Sequence, residues 1–220
     1  MATKRVRGER AGLDRDRILD AALDLVDRAG LPALTMRRLA AEVDVEAMTL
    51  YHYFPNKDAL VDGIVERVFA ATPAPVAGED WATSLRRFAG ALRETLLRHP
   101  GVLPVIVRPA VTPATLEVAE MALRALVDAG FPLGRAMDSI NALTLFVVGH
   151  TAAEASIGAG DGPGSAAWLE GLDPSRYPLI SEAARTGAGT DDVARFHYAV
   201  DALLAGFGRV ARAIPSMHTQ

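Results

Sequence analysis

The 220-residue sequence contains no cysteine, and this absence excludes several kinds of site together. A chain without thiols has no disulfide framework, no thiolate zinc or iron–sulfur site and no cysteine nucleophile. Small secreted domains usually depend on disulfides, so the composition favours the reducing cytoplasm. Residues 1–7 also lack the apolar segment of a secretory signal peptide. We therefore expect a cytoplasmic protein without thiol redox chemistry.

Long hydrophobic runs and β-strand patterns are missing as well. The most apolar stretch, residues 140–153, is interrupted by Asn141, Thr144 and His150. It is also shorter than the ~20 residues that a membrane-spanning helix needs. Apolar and polar residues do not alternate over the length of a typical strand. Because half of the residues are apolar, the sequence predicts a packed all-α protein without a membrane segment.

The net charge of −4 argues against a protein that coats nucleic acid by bulk charge. The charges are unevenly distributed, however. Residues 1–12 carry Lys4, Arg5, Arg7 and Arg10 against one acid and show no apolar periodicity, while the whole excess of negative charge lies in residues 59–220. We predict that residues 1–12 form a basic, flexible arm.

Residues 13–71 show the periodicity of a small helical domain. Asp14 is expected to cap a first helix that Gly30 ends. Two short helices, about 36–43 and 46–53, follow with a tight turn between them, and Asn56 is expected to cap a helix that runs to about residue 71. Two short helices joined in this way are typical of a helix-turn-helix.

The second helix of this pair is short and polar, and its outer side chains suit contacts in a DNA groove. Thr49 and His52 are expected to reach base edges, whereas the tyrosine hydroxyls and Lys57, at a helix N-terminus, are expected to bind phosphates. The alternative is an ordinary helical corner with aromatic residues in its core. The predicted DNA-binding residues are Thr35, Arg37, Ala47, Met48, Thr49, Tyr51, His52, Tyr53 and Lys57.

Residues 72–80 are rich in proline and glycine and predict a boundary before a larger helical domain at 81–214. Apolar periodicity predicts helices at about 81–98, 113–129, 133–156 and 190–214, with a short piece at 102–108 and a weaker helix at 179–186. Residues 157–171 contain five glycines and are expected to form a long mobile loop.

Residues 14–71 resemble the DNA-binding domain of the tetracycline-repressor (TetR) family. The resemblance is carried by residues 18–30, by Leu34–Val43 and above all by Thr-Leu-Tyr-His-Tyr-Phe-Pro-Asn-Lys at 49–57. It implies that the residues predicted above are the DNA contacts. Asp44 stands where the family usually has glycine in the turn, and aspartate tolerates the left-handed conformation. Ala47 and Met48 offer no hydrogen bond to a base, so DNA shape is expected to contribute to recognition.

The second half more loosely resembles the regulatory domain of the same family. That resemblance implies a homodimer, with long C-terminal helices forming a four-helix interface, and an enclosed effector pocket. The apolar residues 139–153 fit burial on two sides, and the alternative is a monomer with a thick core. The implied effector residues are Phe88, Leu92, Arg108, Leu123, Asn141, Thr144, His150 and Glu154.

These patterns predict a ligand-responsive transcriptional repressor. We expect it to bind a palindromic, double-stranded DNA operator as a homodimer, and to be released when a small hydrophobic effector binds the C-terminal domain. An activator or pleiotropic regulator of the same family is one alternative; an all-α carrier or enzyme is a more remote one. No nucleophile–base pair and no metal-ligand spacing of histidines occurs, so we predict no enzyme activity, metal or cofactor.

Overall fold

The computed structural model describes residues 13–76, 78–106, 112–156, 169 and 171–213, and these residues contain ten α-helices and no strand. The predicted all-α class is confirmed. The predicted arm at 1–12, Arg108 and most of the 157–171 loop lie outside the described residues. The helices are α1 Arg15–Ala29, α2 Met36–Glu42, α3 Ala47–Tyr51, α4 Lys57–Ala70, α5 Trp81–Arg98, α6 Leu103–Ile106, α7 Pro113–Asp128, α8 Leu133–Ser156, α9 Pro178–Thr186 and α10 Asp192–Ala213.

Helices α1 to α4 enclose a small apolar core whose largest fully buried side chains include Ile18, Leu39, Leu50, Phe54 and Leu60. The predicted cap of α1 is present, because the Asp14 carboxylate accepts a hydrogen bond from the Arg17 N–H at 2.8 Å. Gly30, at φ 76°, ends the helix by donating its N–H to the Val26 carbonyl. A left-handed φ of this kind is a routine position for glycine.

The helix-turn-helix lies at α2 and α3. The Thr35 hydroxyl oxygen caps α2 by accepting from the Arg38 N–H at 3.2 Å, and Asp44 takes a left-handed φ of 53° in the turn. Helix α3 ends at Tyr51, two residues earlier than predicted. Its last turn tightens, since the N–H groups of His52 and Tyr53 bond to carbonyls three residues back rather than four.

The structure divides the chain between Thr72 and Pro73, at the predicted linker 72–80, and adds one later segment to the first unit. One compact unit contains the described residues up to Thr72 together with the described residues from Arg98 to Glu117, a segment that the sequence interpretation had assigned to the second domain. The carboxylate of Asp27 on α1 accepts the Gly101 N–H at 3.1 Å and lies 2.8 Å from His99 Nδ1. This contact holds residues 99–101 against α1, which explains why they group with the first unit.

The second unit contains Pro73–Leu97 and the described residues from Val118 onwards. Helices α8 and α10 pack against one another. Phe196 and Val200 of α10 and Val147 of α8 are almost completely buried. At the start of the unit, the Trp81 ring meets Phe131 edge to face, with 5.0 Å between the ring centroids. Helix α9 has no buried residue, and Leu179 on it is 78% exposed.

No helix in the described part of the chain is both long enough and apolar enough to cross a membrane.

Candidate functional site

The predicted DNA-binding residues lie on and around α3. Leu50 points into the core with no exposed surface, so the opposite side of this short helix faces outward. Met48 is 70% exposed and Tyr51 is 44% exposed. Thr35, Arg37, His52 and Lys57 are also exposed, whereas Ala47, Thr49 and Tyr53 are half-buried.

Several charged side chains beside α3 could meet a polyanion. Within the described residues, no hydrogen bond or ion pair involves the side chains of Arg37, Arg38 and Lys57. Lys57 opens the fourteen-residue helix α4, whose Asn56 cap accepts from the Ala59 N–H at 2.8 Å. The positive end of a helix dipole repels a cation, so the helix itself does not stabilise Lys57 at this position. A phosphate would be stabilised by both the lysine and the dipole.

Two residues near this surface were missed by the sequence interpretation. Arg38 neighbours Arg37 on α2 and is exposed. Arg15, at the start of α1, donates from Nη1 to the Tyr53 carbonyl at 3.2 Å and stacks 4.4 Å above the Phe54 ring. The sequence could have indicated both residues, because they are basic and belong to a predicted helix-turn-helix domain.

Tyr53 has an intramolecular partner that the sequence did not reveal. Its hydroxyl donates to the Leu13 carbonyl at 3.0 Å, across 40 residues of sequence. A phenol has a single O–H donor. In this structure the hydroxyl therefore donates to Leu13 within the protein. The sequence had predicted instead that it would donate to a DNA phosphate.

The residues predicted to bind an effector are distributed over three helices of the second unit. Phe88 and Leu92 are buried one turn apart on α5, and Leu123 on α7 and Thr144 on α8 are half-buried. Asn141 on α8 is exposed. Arg108 lies outside the described residues.

His150 and Glu154 are brought together in a partly buried cluster with three residues that sequence reasoning missed. Arg93 of α5 forms a two-point ion pair with Glu154, with 2.9 Å between Arg93 Nε and Glu154 Oε2. The ring centroid of His150 lies 5.5 Å from that of Phe146 and 5.4 Å from that of Phe196. Only the helical spacing of His150 and Glu154 could have indicated this group.

The imidazole of His150 is only 7% exposed, and its Nε2 has no hydrogen-bond partner among the described residues. Glu154 Oε2 is 3.8 Å away, which is too far for a hydrogen bond. Burial lowers the pKa of His150; repulsion from Arg195 and Arg93 lowers it further, while Glu154 opposes them. The neutral ring is therefore favoured, with one buried nitrogen left to bind a polar group.

The cavities on the described part of the second unit include two that none of the predicted effector residues lines. One, of about 310 Å³, lies between residues 78–81 and the C-terminal half of α7. The other, of about 550 Å³, lies along α9 beside Leu169 and Leu172.

Small and apolar side chains form an exposed stripe along α8 at three- and four-residue spacing: Ala142, Leu145, Gly149 and Ala153. Leu145 is 62% exposed. On α10, Ala194, Tyr198, Ala202 and Ala205 form a similar stripe, and Tyr198 is 77% exposed.

Two protein-family models match the chain. The model for bacterial regulatory proteins of the tetR family matches residues 18–64, and the model for the tetracyclin repressor-like C-terminal domain matches residues 73–210. An HTH-type transcriptional repressor of Mycobacterium tuberculosis is 30% identical over 222 residues, which cover 94% of this chain and 85% of that protein. The class D tetracycline repressor protein of Escherichia coli is 30% identical over 207 residues, covering 90% of each chain.

Solved structures agree with these matches. A possible TetR family transcriptional regulator from Streptomyces coelicolor A3(2) is 36% identical, with a TM-score of 0.75, over 90% of this chain and all of that one. ActR from Streptomyces coelicolor, in complex with actinorhodin, is 26% identical, with a TM-score of 0.76, over 90% of this chain and 96% of that one. The predicted absence of enzyme activity agrees with this non-enzymatic family. The chain belongs to the TetR family of helix-turn-helix transcriptional regulators.

Proposed function

We propose that this protein is a cytoplasmic transcriptional repressor that binds a palindromic operator as a homodimer and is released by a small hydrophobic effector. The observation that carries the proposal is the outward surface of the helix-turn-helix. There, exposed side chains of α3 lie beside cations that have no partner within the described residues. Base-edge and phosphate contacts need these two features together. The curated relative from Mycobacterium tuberculosis is itself named a repressor.

The homodimer is supported by the exposed stripes of α8 and α10. Alanine and glycine side chains let two helices approach closely, and Leu145 and Tyr198 supply apolar area. A contiguous apolar surface of this kind is typical of a protein–protein interface. In a two-fold dimer each stripe would meet its counterpart, and the dimer would carry two recognition helices, as a palindromic operator requires.

The effector site is supported by the cluster around His150. It combines aromatic rings with a few polar groups, which is the usual composition of a small-molecule site. The relatives include a tetracycline repressor and ActR, which was solved with actinorhodin. The residues that we propose to line the pocket remain those predicted from the sequence, with Arg93, Phe146 and Phe196 added.

Operator binding is tested by gel shift of the purified protein on DNA from upstream of its own gene. We expect a salt-sensitive complex whose protected region contains two half-sites about one helical turn, roughly 34–36 Å, apart. The variant Leu145→Glu, measured by sedimentation, should be monomeric and lose operator affinity. Absence of a shift on every intergenic fragment would contradict the proposal.

The effector is sought by thermal shift with tetracycline, minocycline and a set of hydrophobic aromatic metabolites. A ligand that raises the melting temperature should also release the operator, because it binds the released state more tightly. The variant Phe88→Ala tests the proposed pocket. The ligand should neither raise its melting temperature nor release it from the operator, whereas operator binding without ligand should be kept. A stabilising ligand that leaves the DNA complex intact would separate binding from regulation and contradict the release mechanism.

A further inference from the structure

The imidazole of His150 on α8 has one buried nitrogen without a polar neighbour at bonding distance. The side chain is only 7% exposed, and its Nε2 has no hydrogen-bond partner among the described residues. The nearer carboxylate oxygen of Glu154 lies 3.8 Å away, which is beyond hydrogen-bond distance. A buried polar atom without a partner destabilises the folded protein. A ligand that bonds to this nitrogen would therefore remove an energetic cost of the unliganded state.

Two phenylalanine rings give this nitrogen an aromatic surrounding. The His150 ring centroid lies 5.5 Å from that of Phe146 and 5.4 Å from that of Phe196. The two phenylalanine rings are themselves stacked, with 5.8 Å between their centroids. Phe196 is 1% exposed, whereas Phe146 is half-buried. A flat ligand that approaches the imidazole from solvent would therefore meet the ring of Phe146, and aromatic rings pack well against one another.

The charges that face the imidazole are already matched by charges of the protein. Arg93 of α5 forms a two-point ion pair with Glu154 of α8. Arg195 of α10, which also acts electrostatically on His150, is paired with Asp192. A charge that enters a buried site without a counter-charge is strongly unfavourable. The cluster therefore favours a ligand without net charge.

The chemistry of the free nitrogen indicates which polar group the ligand carries. Burial lowers the pKa of His150, which favours the neutral ring. In a neutral imidazole one nitrogen donates a hydrogen bond and the other accepts one. A hydroxyl both donates and accepts, so it can bond to Nε2 in either tautomer of His150. A carbonyl or an ether oxygen only accepts and would suit one tautomer alone.

We propose that the effector of this protein is an uncharged aromatic molecule with a hydroxyl group, and that this hydroxyl bonds to Nε2 of His150 while the aromatic ring packs against Phe146. The inference rests on the proposed function and names the class of ligand that its effector site takes. Small-molecule sites typically combine apolar walls with a few placed polar groups. A site that bonds a ligand hydroxyl rejects the analogue without it, because the buried partner is then left unpaired.

The ligand class is tested by calorimetric titration of the full-length protein, without DNA, with three matched probes at neutral pH. Naphthol carries the hydroxyl, naphthalene lacks it, and naphthoate replaces it with a charged carboxylate at the same ring position. We expect naphthol to bind at least about tenfold more tightly than either of the others. Equal affinity for naphthol and naphthalene, tighter binding of naphthoate, or no binding of naphthol would overturn the inference.

The contact with His150 is tested by the variant His150→Phe, which keeps an aromatic ring and removes the nitrogen. This variant should bind naphthol and naphthalene with similar affinity. The matched control is His197→Gln, which removes an exposed imidazole of α10 and should keep the preference for naphthol. An undiminished preference for naphthol in His150→Phe would overturn the contact.

Nuclear magnetic resonance of the unchanged protein, with nitrogen-15 in its histidines, tests the same contact without relying on a variant that folds. The Nε2 resonance of His150 should shift on addition of naphthol and stay in place on addition of naphthalene, because only naphthol forms a bond to it. Equal shifts with both probes would contradict the proposed hydrogen bond.

The proposed function is tested separately by adding naphthol to the operator complex. If the unchanged protein binds no operator, or if bound naphthol leaves the complex intact, repression or release fails while the ligand class stands on the titrations. If the operator is bound normally and the titrations show no preference for the hydroxyl, the inference fails while operator binding stands. The two failures are therefore distinguishable.

Discussion

The Asp27 carboxylate lies 2.8 Å from Nδ1 of His99, across 72 residues of sequence. Its other oxygen accepts the Gly101 N–H at 3.1 Å. A single side chain of α1 therefore holds the turn that follows α5 within the helix-turn-helix unit. A β-carbon on Gly101 would lie only 2.4 Å from the Val26 carbonyl oxygen, so the backbone approaches more closely than any other residue would allow.

Gly101→Ala should destabilise the protein by roughly 1–3 kcal/mol, because the new methyl group meets rigid backbone of α1. Urea unfolding at fixed protein concentration measures the free energy of unfolding. The control is Gly90→Ala on α5, where a β-carbon meets nothing within 4 Å. That change should be neutral or stabilise by up to about 1 kcal/mol, since alanine favours a helix. Equal effects of the two substitutions would show that the close contact carries no cost.

Local features of this fold were predictable from the sequence. The caps at Asp14, Thr35 and Asn56, the end of α1 at Gly30 and the left-handed turn at Asp44 all depend on residues within a few positions of each other. Capping and turn preferences act over that range. The helices that they delimit were therefore predicted with small errors at their ends.

The tertiary pairs were not predictable in the same way. Asp27 and His99 are 72 residues apart, and Arg93 and Glu154 are 61 apart. Helical periodicity identifies the buried face of a helix but not the partner of a charged side chain on it. The sequence therefore did not show that residues 98–117 group with the first unit, and Arg93 was absent from the predicted effector site.

Lys57→Gln should weaken DNA binding similarly on all operator sequences and reduce the salt slope by about one for each protomer's lost contact. Lys57→Arg keeps the charge and should retain most of the affinity. Gel shifts over a series of salt concentrations measure both quantities. A loss confined to one operator sequence would place Lys57 at a base edge instead of a phosphate.

His52→Ala should change the sequence preference of the protein, because His52 is exposed directly after α3 and is positioned to reach a base edge. Each good base contact contributes roughly 1–3 kcal/mol of discrimination. Selection from a randomised half-site, with the unchanged protein beside the variant, shows which base pair loses its preference. A uniform loss on all sequences would assign His52 to the phosphate backbone.

Glu154→Gln should destabilise the protein by about 3 kcal/mol, because it leaves the Arg93 guanidinium charged and only 11% exposed. The matched control is Glu120→Gln, which breaks an ion pair with Arg124 whose side chains are each 64% exposed. Exposed pairs contribute little, so the control should change the free energy of unfolding by less than about 0.5 kcal/mol. If the two variants are equally stable, the Arg93–Glu154 pair is effectively solvated.

The unfolding free energy should fall as the pH drops below about 6.5, and His150 should be responsible for part of that fall. Its pKa is lowered by burial first and by Arg195 next, so the unfolded chain takes up the proton before the folded protein does. The stability contributed by the neutral ring is fully present above the unfolded pKa of 6.5 and is lost as the pH falls below it, at up to about 1.4 kcal/mol per pH unit. Urea unfolding from pH 8 to pH 5 should therefore show a shallower decline for His150→Gln than for the unchanged protein. Replacing the exposed His197 with glutamine should leave the decline unchanged. An identical decline in all three proteins would show that His150 has the same pKa in the folded and the unfolded protein.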